Sequence, residues 1–146
     1  MTSGISQRLL VACTPFGPRL SAMAVASAIA RGIRDAGMPE PDVCVLPGDG
    51  DEAIRHLLDE LDFDARMRRA RAVVLAAARF EERTLAGSVT FEVATRARQG
   101  GIPAYAIAGE NALNAFDARV LDLQVILEAH SRGTLESAGR KLAGLA

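Results

Sequence analysis

Apolar residues follow two alternating rhythms along this chain. Short unbroken runs, Leu9–Cys13, Val43–Leu46, Ala72–Ala76, Ile102–Ala108 and Val120–Ile126, have the length of strands buried in a sheet. In the last of them Asp122 and Gln124 imply one exposed face. Between the runs the apolar positions recur at helical spacing. Ala22, Val25, Ala26, Ile29 and Ile33 form one stripe, with Ser27, Arg31, Arg34 and Asp35 opposite and Gly37 and Pro39 as its stop. Ile54, Leu57, Leu58 and Leu61 form a second, opened by Asp51 and Glu52, whose charge suits a helix N-terminus. Leu85, Val89, Val93 and Ala97 form a third, ended by Gly100-Gly101. A last helix begins near Thr134, a candidate N-cap, with Leu135, Ala138, Leu142 and Leu145 inward. The arginine-rich stretch Asp64 to Arg71 reads as the nearest thing to a linker.

Strands alternating with helices of this length mean βαβ units, whose right-handed crossovers build a parallel sheet. The expected fold is α/β: one Rossmann-like domain over residues 1–146, three layers α/β/α, with a doubly wound, mostly parallel five-stranded sheet. Ligands in such folds bind beyond the carboxyl ends of the strands, where the strand order reverses. That places the loops 13–20, 47–52, 76–84, 108–118 and 127–133 in one region.

Composition narrows the chemistry. Hydrophobic residues make up 49% and aromatics 4%, so the core is aliphatic. A net charge of −1 gives no pull toward nucleic acid or an anionic membrane. No apolar stretch approaches ~18 residues and no secretory leader is visible, so a cytoplasmic protein with reduced Cys13 and Cys44 is expected. Cys13 reads as a small buried hydrophobe; the alternative is a thiol activated by a facing helix N-terminus. Lys141 is the sole lysine among 17 basic residues, which leaves none mid-chain to neutralise phosphate. Two histidines, His56 and His130, and two buried cysteines do not suggest a zinc site. His56 reads as a surface residue, whereas His130 follows strand five beside the expected cleft. Arg66, Arg68, Arg69 and Arg71 lack interleaved aromatics and read as a solvated surface.

Familiar phosphate motifs are missing. The loop after strand one, Thr14-Pro15-Phe16-Gly17-Pro18-Arg19, is not G-x-G-x-x-G, and no P-loop occurs. Strand three runs into Ala76-Ala77-Ala78 where a receiver domain would carry its phospho-accepting aspartate.

Taken in order, the loops resemble those of the bacterial glycerate kinases. LLVACTPFGPRLSAMAVASAIARGI, Leu9 to Ile33, is similar to that family's first strand and helix, joined there by Asp-Ser-Phe-Lys-Gly-Ser-Leu-Ser. LPGDGDEA, from Leu46, resembles its Pro-x-Ala-Asp-Gly-Gly-Glu-Gly loop, and RFEERTLAG, Arg79 to Gly87, its Gly-Glu-Gly-Arg-x-Asp-x-Gln-Thr-x-x-Gly-Lys loop. IPAYAIAG (Ile102–Gly109) and the final helix continue the likeness. The resemblance implies the family's first domain alone, because its inserted second domain would fall at the short Asp64–Arg71 connection. Thr14 and Pro15 replace the Asp-Ser pair, Gly17 replaces the first lysine, Ala76–Ala78 replace Gly-Glu-Gly, and Ser88 replaces the late lysine. Phe16, Ser21, Asp49, Gly50, Glu52, Arg79, Thr84 and Gly87 persist, with Glu81 in place of an aspartate.

Phosphoryl transfer depends on positioning and on cations that neutralise developing charge. The expectation is therefore a catalytically degenerate domain that binds a small anion or a partner at the carboxyl edge. Ligand-site candidates are Thr14, Arg19, Ser21, Asp49, Gly50, Asp51, Glu52, Arg79, Glu81 and Thr84. Arg19 and Arg79 would meet the anion. If the kinase reading held, Asp49, Asp51, Glu52 and Glu81 would hold Mg²⁺ beside ATP, with a partner or dimer mate completing the cleft. A third possibility is assembly: Phe16, Phe80 and Phe116, all in carboxyl-edge loops, would form an apolar patch supporting a homodimer.

Overall fold

The computed structural model describes residues 8–47, 53–81 and 88–146. Among these residues five strands, β1 (Leu9–Cys13), β2 (Asp42–Val45), β3 (Ala72–Phe80), β4 (Ala104–Asn111) and β5 (Leu123–Glu128), pair in the order β2-β1-β3-β4-β5. All four pairings are parallel. Among the described residues six helices join them: α1 (Ala22–Asp35), α2 (Ala53–Glu60), α3 (Phe63–Arg68), α4 (Val89–Gly100), α5 (Ala115–Val120) and α6 (Arg132–Leu145).

Alternation of side chains along a strand divides the core in two. Leu9, Val11, Cys13, Val74 and Ile107 face α1 and α6, meeting Val25, Ile29, Ile33, Leu135 and Leu142. Leu10, Ala12, Val73, Leu75 and Ala106 face the other way, against Leu58 of α2, Phe63 and Met67 of α3 and Val93 and Ala97 of α4. The sheet is thus covered on both faces, as a parallel sheet requires. Among the described residues no helix is long and apolar enough to cross a membrane.

Several expected boundaries move. Strand three does not stop at Ala76. It continues to Phe80 because β4 accompanies it, with Arg79 opposite Glu110 and Phe80 opposite Asn111. Strand five begins at Leu123 rather than Val120: Val120 ends α5, and Asp122 turns the chain with a left-handed φ of 57°. The short α5, capped by Asn114 whose side chain accepts from the Asp117 N–H at 2.8 Å, occupies what reads as loop in the sequence. The N-cap of α6 is Ser131. Thr134 is its capping-box partner, three residues into the helix.

The stretch expected to act as a linker contains α3, and Arg66 corrects the reading of a wholly solvated arginine cluster. Its Nε and Nη2 donate to the two carboxylate oxygens of Asp42 at 3.0 and 2.8 Å, and Nη2 also reaches the Val43 carbonyl at 2.9 Å. Arg96 ties the helices of that face together, donating to Asp59 of α2 at 3.0 Å and Asp64 of α3 at 3.1 Å.

Candidate functional site

Strand order reverses between β1 and β3, since β1 is followed in space by β2 on one side and by β3 on the other. The carboxyl ends of β3 and β4 and the segments that follow β1 and β5 come together at this edge, where ligands enter such folds. They line an open cavity of about 360 Å³ formed by Phe16, Gly17, Ala78, Gly109, Glu110 and His130.

The loop after β1 is short and braced. Thr14 donates its N–H to the Ala76 carbonyl at 3.0 Å and its hydroxyl to the same oxygen at 3.4 Å, extending the β1–β3 ladder by one residue. Buried there, Thr14 is part of the sheet and presents no free hydroxyl to the cavity. Phe16 and Leu20 form a bridge, the Phe16 N–H reaching the Leu20 carbonyl at 2.9 Å, so Gly17, Pro18 and Arg19 form the exposed tip. Ser21 is the N-cap of α1, its Oγ accepting from the Ala24 N–H at 3.1 Å. Of these positions, only Arg19 offers a solvent-facing charge.

At the cavity, β3 and β4 lie side by side at Ala78 and Gly109. A Cβ on Gly109 would lie 2.5 Å from the Ala78 carbonyl oxygen, so a larger residue would push the strands apart. One residue further, Arg79 is clamped by two acids: its Nε donates to Glu81 and its Nη1 to Glu110. Glu110 therefore contributes both to the cavity wall and to the charge balance of Arg79. Across from it, His130 donates its backbone N–H to Thr134 Oγ1 at 2.9 Å, which fixes the chain entering α6.

The structure pairs Arg79 with Glu81, places Phe16 in the cavity wall and Arg19 at the loop tip, and assigns Thr14 and Ser21 to holding the backbone. Asp49, Gly50, Asp51, Glu52 and Thr84 lie outside the described residues. Among the described residues no cluster of histidine, cysteine and carboxylate side chains is suited to a metal ion. Glu110 was not singled out by the sequence, and Ala78 and Gly109 entered only through the family resemblance. A signal for Glu110 is present nonetheless: a basic residue just past one apolar run and an acidic residue just past the next fall side by side when the strands are parallel neighbours.

Two expectations need correction. Phe80 is not a loop residue in an apolar patch: it lies in β3, 1% exposed, inside the α2–α4 side of the core. Phe16 is half-buried against the opposite core face, which leaves Phe116, 66% exposed on α5, as the one strongly exposed ring of the three. The idea of an activated Cys13 also fails, because burial pushes its thiol well above its ordinary value.

Two solved structures share this fold at low sequence identity. A protein described as pilus assembly-related from Burkholderia pseudomallei matches with TM-score 0.50 and 16% identity, over 99% of this chain and 94% of that one. A response regulator receiver domain from Rhodospirillum rubrum matches with TM-score 0.50 and 14% identity, over 92% of this chain and 90% of that one. No curated protein matches. In sequence, residues 37–142 match the glycerate kinase family, a span that takes in β2 to β5 and most of α6. That is well over half of the chain, which therefore belongs to the glycerate kinase family.

Proposed function

We propose that this chain is a catalytically degenerate member of its family, one that binds a small anionic ligand in the carboxyl-edge cavity without transferring phosphate. The observation that carries this reading is the clamp on Arg79. The cavity offers an open place for a ligand, yet Arg79, which pairs with the cavity-lining Glu110, is matched by Glu81 and Glu110, so the trio carries a net charge of −1. A transferring phosphoryl group needs surplus positive charge at its equatorial oxygens. Neither lysine of the family motifs supplies it: Gly17 stands at the first position, and Ser88 at the second caps α4, accepting from the Phe91 N–H at 3.0 Å.

The cavity is also open to water, where each electrostatic contact is weaker than in a closed cleft. Binding of modest strength survives under those conditions; acceleration of phosphoryl transfer does not. As for Mg²⁺, Glu81 is engaged with Arg79 rather than presented as a ligand.

Two measurements test the reading. With ATP, Mg²⁺ and D-glycerate, the purified protein is expected to release ADP no faster than a protein-free blank, and robust turnover would overturn degeneracy. Calorimetry against D-glycerate, inorganic phosphate and ATP is expected to detect binding of at least one of them. A flat panel would remove the ligand-binding function.

A further inference from the structure

The two outer strands of the sheet are finished differently. At one edge β2 is four residues long and lies between Pro41 and Pro47, which have no N–H to present to a further strand. The Leu46 N–H reaches the Cys13 carbonyl of β1, so by alternation the backbone of Val43 faces outward, and its carbonyl is taken by Arg66 Nη2 at 2.9 Å. At the other edge β5 has six residues, LQVILE, with no proline and no charge before the last of them. The Ala129 N–H reaches the Ala108 carbonyl of β4, which turns the N–H and C=O of Ile126 and Glu128 away from the sheet. Among the described residues no hydrogen bond reaches these outward groups. The irregularity in the β4–β5 pairing lies ahead of Ile126, and from there to Glu128 the register is regular. A bare edge of this kind is a template for another strand.

We propose that the chain forms a homodimer in which β5 pairs antiparallel with β5 of a second copy around a twofold axis. Symmetry lets one edge serve as both halves of the contact. Ile126 of each copy meets Glu128 of the other, their outward groups exchange hydrogen bonds, and the two sheets become continuous. The outermost strands of the joined sheet are then the two guarded β2 edges, so addition stops at two copies. An open edge opposite a closed one is the arrangement that makes such pairing finite, which favours a second copy over an unrelated strand. The helix leading into β5 supplies apolar cover: α5 buries none of its residues, and its Phe116 and Val120 are 66% and 42% exposed. A helix of six residues has little stability of its own and depends on what packs against it. With the edge of β5, these side chains present on the order of 500–600 Å² per copy, the size of a weak, reversible interface. Nothing in this arrangement uses the carboxyl-edge cavity, so it stands or falls independently of the ligand-binding reading.

Sedimentation equilibrium on the whole protein, from low micromolar to about 200 µM, is expected to show the 15.4 kDa monomer passing reversibly to twice that mass, with a micromolar dissociation constant. Glu128→Pro removes an outward N–H and leaves the β4 ladder whole, while Phe116→Glu places charge on the apolar side of α5. Each is expected to weaken the dimer by about tenfold or more, with circular dichroism confirming that the fold is kept. Met23→Glu, at an exposed position beside the guarded β2 edge, is expected to leave the dimer unchanged. A parent that stays monomeric at about 200 µM would overturn the proposal and leave the edge to a different occupant. A dimer that withstands Glu128→Pro, or that Met23→Glu breaks, would overturn its assignment to β5.

Discussion

Asp42 and Arg66 form a bidentate ion pair, two parallel hydrogen bonds between largely covered side chains. The hydrogen bonds from Arg66, reinforced by its charge, hold the Asp42 carboxyl below the usual carboxylate range. A carboxyl lowered on folding stabilises the native state above its unfolded value, near pH ~4, and loses that contribution as pH falls through its folded value. Asp42→Asn is therefore expected to lower stability by about 1–2 kcal/mol in urea at pH 7, and the gap from the parent should narrow below about pH 4. A constant gap from pH 7 to pH 3 would contradict the charge-based account. The cysteines make a second residue-scale prediction. Burial raises both the Cys13 and Cys44 thiols, so reaction with a thiol reagent in native buffer should proceed only at the rate of opening, and promptly in denaturant. Neither partner of Arg66 is legible locally, because Asp42 lies in a different element and a run of arginines looks alike whether or not one of them is engaged. Burial of Cys13, by contrast, follows directly from its place in an unbroken apolar run.

Helix α1 packs against α6 closely enough that glycine is required on both sides. A Cβ on Gly32 would stand 1.9 Å from the Glu136 carbonyl oxygen, and one on Gly139 would stand 2.4 Å from that of Ile29. Gly139→Ala is expected to cost about 1–3 kcal/mol by forcing the helices apart. Gly144→Ala in the same helix, where an added Cβ meets nothing within 4 Å, is expected to be neutral or stabilising by about 0.5–1 kcal/mol. Parallel melting curves for the two variants would decide the matter, and equal losses would show that the contact is not the cause. At this scale the sequence was informative about which elements exist and less so about where they end. The apolar stripe read from Ala22 onward coincides with α1, which begins at Ala22 after the Ser21 N-cap. It misjudged β3 because Arg79 looks like loop until Glu110 is placed beside it, and it missed α5, which buries none of its residues and so leaves no apolar stripe.

For the whole molecule, the alternation of strands and helices was enough to specify layers and parallel pairing, and the observed sheet is parallel throughout. The order β2-β1-β3-β4-β5 was not readable, because right-handed crossovers permit more than one sequence of strands. The site divides in the same way. Its location at the carboxyl edge followed from the fold class, whereas the Arg79–Glu110 contact depended on which strands are neighbours. The interlocked α1 and α6 bear on how the chain is made. Synthesis proceeds from the amino end, so the face of α1 around Gly32 stays bare until residues 132–145 have left the ribosome, a wait of several seconds at about 5–20 residues per second. Over that interval a nascent chain exposes the apolar stripe that α6 will cover. Fragments ending at residue 131 should accordingly be far more sensitive to protease than the 146-residue chain, and a fragment as resistant as the whole would show that α1 needs no such cover. Holding the first helix with a late one makes the exit of the polypeptide, rather than its thermodynamics, the step at which quality-control proteases and chaperones have their longest opportunity to act.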